Sequence, residues 1–330
     1  MKTLFIRRGF SLVELLAAMA VLAILGLILS QITGSITRST KQSTRIMDAS
    51  AQARLAFDRI GFDFAGLVKR RDTDFVAQNL STASPTSLLL FLSTVPASGI
   101  PTAENRGLSV VAYRVSVHAD NKDREGTARA CLLRSGKAIP WHPIGSTPAS
   151  GFMGLQANGL PQTFASNSFP PALLPSNELD FDVLSPGVIR MIVGFQLYPD
   201  NKPVQLLNAA PPNPNVARGQ IVYHPPTRLV TSNTGATVEY IDLNRVSAII
   251  IGLVTVDGES LRLLNAAQTV LLGNAFATPT DSDNKTPVQA WTATANAVNA
   301  LPATVPLPVR QSVRVYERTY PITPFTTQSP

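Results

Sequence analysis

Residues 10–29 read FSLVELLAAMAVLAILGLIL, and only Ser11 and Glu14 in this stretch carry polar side chains. Because a helix rises about 1.5 Å per residue, a helix of this length crosses the roughly 30 Å hydrocarbon core of a bilayer. No second apolar run of this length occurs among the 330 residues. The stretch therefore predicts one transmembrane helix and sets the architecture of the chain.

The flanking charges predict the orientation of that helix. The preceding residues, MKTLFIRRG, hold three cationic side chains and no acidic one, and such flanks stay in the cytoplasm. We therefore expect a single-pass membrane protein with a cytoplasmic N-terminus and an extracytoplasmic remainder. A secretory signal peptide is the alternative, but its apolar region usually has about 7–15 residues and ends at a small-x-small site, which does not follow here.

Glu14 is the one carboxylate inside the apolar run. An acid at the bilayer centre costs roughly 2.5–3.5 kcal/mol on insertion scales, so an intramembrane acid is by default a candidate functional residue. Glu14 lies only four residues inside the run, where the cost is lower. The alternatives are that its carboxylate sits at headgroup level or pairs within its own chain.

Residues 8–14, RGFSLVE, followed by the apolar run, resemble the class III signal of type IV pilins and type II secretion pseudopilins. In that family a prepilin peptidase cuts the leader after the glycine and methylates the new N-terminal phenylalanine. The resemblance implies cleavage between Gly9 and Phe10 and N-methylation of Phe10. It also implies that Glu14 pairs with the terminal amine of a neighbouring subunit. The recognised motif covers about the first thirty residues.

Apolar or small residues recur at spacings of four and three from Ile32 to Phe64, and no proline precedes Pro85. This spacing predicts one amphipathic helix that continues from the membrane to about residue 68. Eight of the fifteen residues 30–44 are Ser or Thr, which are weak helix formers, so we expect fraying or a bend there. The predicted organisation is a cleaved leader (1–9), a transmembrane helix (10–29), its amphipathic extension (30–71) and a head domain (72–330).

Residues 54–64, RLAFDRIGFDF, resemble the helix end of J-type minor pseudopilins and the C component of the Verru_Chthon cassette, which is a pilin-like family. This similarity is weaker than that of the leader. The cations at 69–71 fit a helix C-terminus, where they complement the macrodipole, better than a nucleic-acid patch.

After residue 72 the pattern changes to short β-runs between turn-rich loops. The run 246–256, VSAIIIGLVTV, predicts a central buried strand, and 313–320 predicts an edge strand. Apolar spacing in 259–276 predicts a helix, and three proline-rich segments, 140–176, 199–226 and 279–308, predict surface excursions. The fold class is therefore α+β, with an antiparallel sheet packed on the long helix. The predicted strands are 87–92, 108–117, 128–134, 179–183, 188–198, 220–223, 238–243, 246–256 and 313–320.

Motifs of catalysis and cofactor binding do not stand out. The sequence has no G-x-S-x-G, no Walker A and no G-x-G-x-x-G, and its three histidines are scattered. The acidic loops 120–126 and 281–284 are poor candidates for calcium binding. In the first loop, Lys122 and Arg124 occupy positions where a calcium-binding loop would need ligands. Cys131 lies in an apolar strand run, which is typical of a small buried hydrophobe. We expect no catalytic residue, no metal, no cofactor and no enzymatic activity.

The net charge of +7 includes the three cations of the leader, so the mature side chains carry about +4. That is modest for a nucleic-acid binder, and we expect no nucleic-acid partner. The resemblance implies a structural minor pseudopilin-like subunit of a type II secretion or type IV pilus-like filament. Its implied partners are other pilin-like subunits, the prepilin peptidase and the inner-membrane assembly platform. The resemblance also implies the inner (cytoplasmic) membrane as the location, with the head domain in the periplasm or otherwise outside the cytoplasm. The presence of Glu14 favours a J-like or shaft position over the tip. A membrane-anchored adhesin or ligand-binding protein is the alternative, and a tethered enzyme is a weaker one.

Overall fold

The computed structural model describes residues 11–69, 75–79, 87–95, 105–118, 129–140, 181–198, 220–223, 227–231, 237–241 and 243–323. Helix α1 runs without a break over Leu12–Ala65, 54 residues. The chain divides into two compact units, of which the first ends at Met47 and the second begins at Asp48. The predicted long helix is present, although it ends at Ala65 rather than near residue 68.

In the first unit, α1 is solvent-exposed along nearly its whole described length. The hydroxyls of Thr33 and Thr37 each donate to the carbonyl four residues earlier, at 2.8 Å, and Thr44 does the same at 3.0 Å. Hydroxyls that bond back to a carbonyl four residues earlier slightly destabilise a helix and often bend it. The helix is not interrupted between residues 30 and 44, and the expected fraying or bend stays a prediction, of which amide exchange tests the fraying.

The second unit adds two antiparallel sheets, a hairpin and four short helices to the end of α1. Sheet 1 has the strand order β1-β2-β3-β4-β5, sheet 2 has the order β11-β10-β6-β7, and β8 pairs with β9. The α+β class is confirmed, but the described strands form two sheets rather than one. The strands are β1 Phe75–Gln78, β2 Leu88–Ser93, β3 Asn105–His118, β4 Arg129–Pro140, β5 Asp182–Pro186, β6 Val188–Leu197, β7 Ile221–Val222, β8 Thr227–Thr231, β9 Thr237–Ile241, β10 Val246–Thr255 and β11 Arg314–Pro321; the helices are α2 Gly258–Leu261, α3 Ala266–Asn274, α4 Pro287–Asn296 and α5 Leu307–Ser312.

The main core forms where α1 meets both sheets. The predicted stripe of Ala53, Phe57 and Ile60 is buried, and it packs with apolar side chains of β1, β2, β6 and β10. Phe64 stacks on Phe91 of β2 with ring centroids 4.9 Å apart and meets Tyr320 of β11 edge-on at 5.1 Å. Because aromatic side chains contribute large buried areas, this chain of rings ties the helix to one strand of each sheet.

Gly187 is the single residue between β5 of sheet 1 and β6 of sheet 2. Its N–H donates to the carbonyl of Ala130 at 3.0 Å, and its own carbonyl accepts from the N–H of Val256 at 2.9 Å. Its φ is +80°, which L side chains rarely adopt. A Cβ here would lie 2.7 Å from Oε1 of Gln52 and would also clash with the carbonyl oxygen of Val256. Glycine thus lets the chain change sheets in one step.

The β7 edge of sheet 2 is closed by side chains. Beyond the two-residue β7, the side-chain amide of Asn79 takes the place of a further strand residue opposite Val193. Oδ1 of Asn79 accepts the backbone N–H of Val193 at 2.8 Å, and Nδ2 of Asn79 donates to the carbonyl of Val193 at 2.9 Å. Nδ2 also donates to the carbonyl of Tyr223 at 2.8 Å. Ser87 donates to the next outward carbonyl of β6, that of Met191, at 2.7 Å. The start and end of the β1–β2 connection therefore cover the exposed part of β6.

Several sequence predictions need correction. The run 259–276 is not one helix: α2 ends at Leu261, and Asn265 starts α3 with a capping box to Gln268. The segment 279–308 is not wholly irregular, because Thr286 caps α4 and Pro287 occupies its first turn, where proline is tolerated. By contrast, β10 is central and buried and β11 is an edge strand, as predicted.

Replacing Gly187 by alanine should lower the free energy of unfolding by about 2–4 kcal/mol, because it adds a left-handed backbone penalty and a backbone clash. Gly107→Ala is the matched control: Gly107 also has positive φ, +66°, but a Cβ on this residue would have no other atom within 4 Å. It should cost only about 1–2 kcal/mol. Urea denaturation measures both, and equal losses would show that the close approach at Gly187 does not matter.

Candidate functional site

The first turn of α1 carries the predicted assembly residue. Ser11 lies just before the helix, and its Oγ accepts the backbone N–H of Glu14 at 3.2 Å. This is one half of the Ser-x-x-Glu capping box, a helix-start signal that the sequence carries within the leader motif. Glu14 is exposed in the first turn, where a negative charge complements the helix dipole. Gly9 and Phe10 lie outside the described residues.

The helix that follows Glu14 is apolar on all sides. Its most apolar 18-residue window has a mean hydropathy of 2.7, and none of that window is buried. Leu12, Leu22 and Leu29 are 78%, 73% and 63% exposed. Within the described part of the chain, α1 is the one helix long and apolar enough to cross a membrane. A helix that is hydrophobic all round requires an apolar environment.

Comparison with known proteins bears on this segment. Residues 5–30 match the family model of the prokaryotic N-terminal methylation motif. The N-terminus carries a prepilin-type signal. The motif indicates a type IV pilin-like protein that is processed by prepilin peptidase and anchored in a membrane. No curated protein and no solved structure matches this chain.

The matched range contains Gly9, Phe10 and Glu14, yet the match does not test the role of each residue. Cleavage after Gly9, methylation of Phe10 and pairing by Glu14 stay predictions. The J-type and Verru_Chthon resemblances likewise stay predictions.

A second polar constellation, which the sequence did not predict, lies at the other end of α1. Asp63 in the last turn is fully buried, and the guanidinium of Arg134 on β4 binds it bidentately, with Nε 2.7 Å from Oδ2 and Nη2 3.0 Å from Oδ1. The hydroxyl of Tyr113 on β3 also donates to Oδ2. Arg59, one turn earlier, places Nε 3.5 Å from Oδ1. Two basic groups thus balance one buried carboxylate.

The surroundings shift the pKa values of Tyr113 and Arg134. Burial, followed by the negative charge of Asp63, raises the pKa of Tyr113 well above its usual value, so its phenol stays a hydrogen-bond donor. Burial alone would lower the pKa of Arg134, but the hydrogen bonds and charge of Asp63 outweigh it, and the pKa of Arg134 is raised. The phenol of Tyr113 and the guanidinium of Arg134 therefore stay protonated and keep donating to the carboxylate at physiological pH.

The other residues singled out in the sequence do not come together. Cys131 is buried, 3% exposed, in β4, as predicted. His118 ends β3, whereas His142, His224 and the loop 120–126 lie outside the described residues. Among the described residues, no group of three or more His, Cys, Asp or Glu side chains is placed to hold a metal ion.

The loop 281–284, one of the two acidic loops weighed for calcium, has a different role. Oδ1 of Asp281 accepts the N–H of Tyr223 at 2.6 Å, and Oδ1 of Asn284 accepts the N–H of Ile221 at 2.9 Å. Both are outward N–H groups at the edge of sheet 2. Two of the side-chain oxygens that could have bound an ion, those of Asp281 and Asn284, thus bind backbone N–H groups of residues 221 and 223.

Calcium should therefore leave the head unchanged. Isothermal titration of the full chain in detergent with calcium chloride should give no binding heat, and the thermal midpoint should not move. Asn284→Ala should lower stability by about 1–3 kcal/mol, because Ile221 loses its acceptor and Asn284 has φ +48°. A saturable calcium isotherm that Asp281→Ala abolishes would contradict this assignment.

Proposed function

We propose that this chain is a structural, non-enzymatic subunit of a type II secretion or type IV pilus-like filament, of the minor pseudopilin kind. The observation that carries the proposal is the continuity of the prepilin-type signal with an unbroken helix whose apolar N-terminal part is exposed on all sides. Such a helix has two apolar environments available, the bilayer and the helices of neighbouring subunits.

The part of α1 that belongs to the head supports this proposal. One face is buried in the core, whereas on the remaining surface Leu55 and Phe62 are 56% and 57% exposed. Both side chains carry large apolar groups where a helix docked on a single core would carry polar ones. They contribute little to the head and are suited to contact with another subunit.

The N-terminus supports it on electrostatic grounds. Cleavage after Gly9 would create a positively charged amine on Phe10, next to the hydrocarbon, and a charge there requires a partner. Glu14 offers a carboxylate in the first turn of the helix. We propose that this carboxylate accepts the amine of a neighbouring subunit and thereby sets the order of assembly. The head would then lie on the extracytoplasmic side, and the assembly platform would be a further partner.

Processing tests the first step. In a host that carries prepilin peptidase, the mature chain should begin at Phe10 with a methylated amine, as read by mass spectrometry of the intact protein. Gly9→Val should leave a precursor that is heavier by the nine leader residues, because the peptidase no longer accepts the site. Ser11→Ala serves as the control and should still be cleaved. Wild-type protein that keeps its leader in that host would contradict the proposal.

Assembly tests the second step. A photo-cross-linking residue at Ala51, which is exposed on α1, should give adducts with other pilin-like subunits in host membranes. Phe62→Glu and Glu14→Gln should each reduce these adducts at least tenfold without changing processing.

Leu307→Glu is the matched control, since Leu307 is 50% exposed on α5. Phe62→Glu and Leu307→Glu should each change the free energy of unfolding by less than about 0.5 kcal/mol. Equal loss of adducts from Phe62→Glu and Leu307→Glu would show that the exposed face of α1 has no special part in assembly.

A further inference from the structure

The strand β11 forms the edge of sheet 2 opposite β7. The N–H of Ile322 donates to the carbonyl of Ser247 at 2.8 Å, and in the antiparallel register of β10 and β11 this bond fixes which residues face each other's backbone groups. Because bonded and non-bonded pairs alternate in such a ladder, the backbone groups of the even-numbered residues 314–320 face β10. Those of Val315, Glu317 and Thr319 therefore face away from the sheet.

These outward groups of β11 are open. Among the residues that the structure describes, no hydrogen bond involves the N–H or the carbonyl of Val315, Glu317 or Thr319. Arg318 and Thr319 are exposed, so solvent reaches the edge at this end of the strand. At the β7 edge, by contrast, side chains already bind the outward N–H groups. An unpaired edge strand is a template for a further strand.

The strand β11 runs beside the head part of α1, in the same direction as the helix. A side-chain hydrogen bond joins Tyr316 to Ser50. Four residues later in the strand, the hydroxyl of Tyr320 donates to the carbonyl of Phe57 at 2.7 Å, and a Cβ on Gly61 would lie 3.1 Å from the Tyr320 ring. The contacts thus advance along both elements together, and a strand added to this edge would lie alongside the helix.

A second copy of this chain does not fit the β11 edge. Two β11 strands paired antiparallel would point their α1 helices in opposite directions, and one membrane could not hold both apolar ends. Two β11 strands paired in parallel about a two-fold axis would set N–H against N–H, because the same residues face outward in each. The strand β7 runs opposite to β11, as pairing between equally oriented heads requires, but side chains occupy its outward N–H groups.

The side chains beside the edge are mainly cationic. Arg314 and Arg318 lie on the face of β11 that meets α1, since strand side chains alternate between faces. Arg54 is exposed on α1, four residues before Asp58 and thus on the same side of the helix. Asp58 pairs with Arg318, which leaves one acid for three cations. Glu317 points to the other face, where it accepts a backbone N–H of α4.

We propose that β11 accepts an extended, acidic edge strand of a different membrane-anchored, pilin-like subunit. Main-chain hydrogen bonds to Val315, Glu317 and Thr319 supply affinity, and the arginines favour a strand with carboxylates on the facing side. Because the β7 edge is closed, this head offers no second edge of sheet 2 for further pairing, so a row of sheets joined in this way ends at this subunit. The pilin-like nature of the partner rests on the proposed function, whereas the open edge does not.

Amide hydrogen exchange of the full chain in detergent tests the edge by itself. The N–H groups of Glu317 and Thr319 should exchange about a hundredfold faster than those of Arg318 and Tyr320, which bond to β10, because only the latter require the strand to open. Slow exchange at Glu317 and Thr319 would overturn the proposal, since the edge would then already be occupied.

Cross-linking in host membranes tests the partner. A photo-cross-linking residue at Pro321, which is exposed at the end of β11, should form an adduct with a different chain that carries its own prepilin-type signal. The cross-linked peptide of that chain, identified by mass spectrometry, should hold Asp or Glu at alternate positions.

Thr319→Pro removes one outward N–H without touching a bond to β10, and proline is tolerated in edge strands. It should reduce the Pro321 adduct about tenfold, because a carbonyl of the partner strand loses its donor. Thr319→Val is the matched control, which keeps the N–H and should keep the adduct. Both variants should keep a thermal midpoint close to that of the parent. Equal adduct yields from the two variants would overturn the proposal.

Arg54→Glu tests the charge of the partner and should reduce the Pro321 adduct about threefold. Arg262→Glu is the control, since Arg262 is exposed at the end of α2. Equal yields from these two variants would overturn the acidic character of the partner strand.

The identity of the adduct decides the rest. An adduct with a second copy of this chain would overturn the proposal. So would the absence of a Pro321 adduct in membranes where the Ala51 cross-linker forms its adducts, and in that case the proposed function stands. If neither position gives an adduct and the leader is kept, the proposed function fails, and the assignment of the partner fails with it.

Discussion

The constraint on which the structure depends is that one helix must be compatible with two different environments. Every residue of α1 between its ends satisfies its backbone hydrogen bonds within the helix, so the backbone carries no unpaired polar group into either lipid or protein. The side chains then set the environment of each part. Near the N-terminus the side chains are apolar on all faces of the helix. In the middle, many carry hydroxyls that bond back to helix carbonyls. Where the core of the head begins, one face of the helix is buried and the other is exposed. A break in the apolar N-terminal part of this helix would expose backbone groups that lipid cannot satisfy.

In the head, a small number of residues joins the two sheets to each other and to that helix. The glycine between β5 and β6 carries the chain from one sheet to the other while bonding to both, and the stacked phenylalanine and tyrosine rings span the space between them. The carboxylate of Asp63 at the end of α1 is buried, and partners from three strands hold it beside the apolar core.

Features that depend on local order in the sequence were predictable. The prepilin-type signal is a linear segment, so its residues identify it without any fold. Ala53, Phe57 and Ile60 follow the helical period, and the β-branched run of β10 indicated a buried central strand. The helix predicted over 259–276 was wrong because apolar spacing continues through Leu263 and Leu264, although the Asn265 cap interrupts the helix. The Asp63 cluster could not be predicted, since its partners come from distant strands and a pattern within the helix shows Asp63 only as one more acid.

The closed edge of sheet 2 matters for a protein confined to a membrane. Confinement to two dimensions raises the effective concentration of heads, and an open β7 edge would recruit an edge strand of a neighbouring head by continued β-pairing. Along β7 and the adjoining part of β6, the side chains of Asn79, Ser87, Asp281 and Asn284 already occupy the groups that such pairing would use. Crowded heads can therefore collide at this edge without pairing strand to strand.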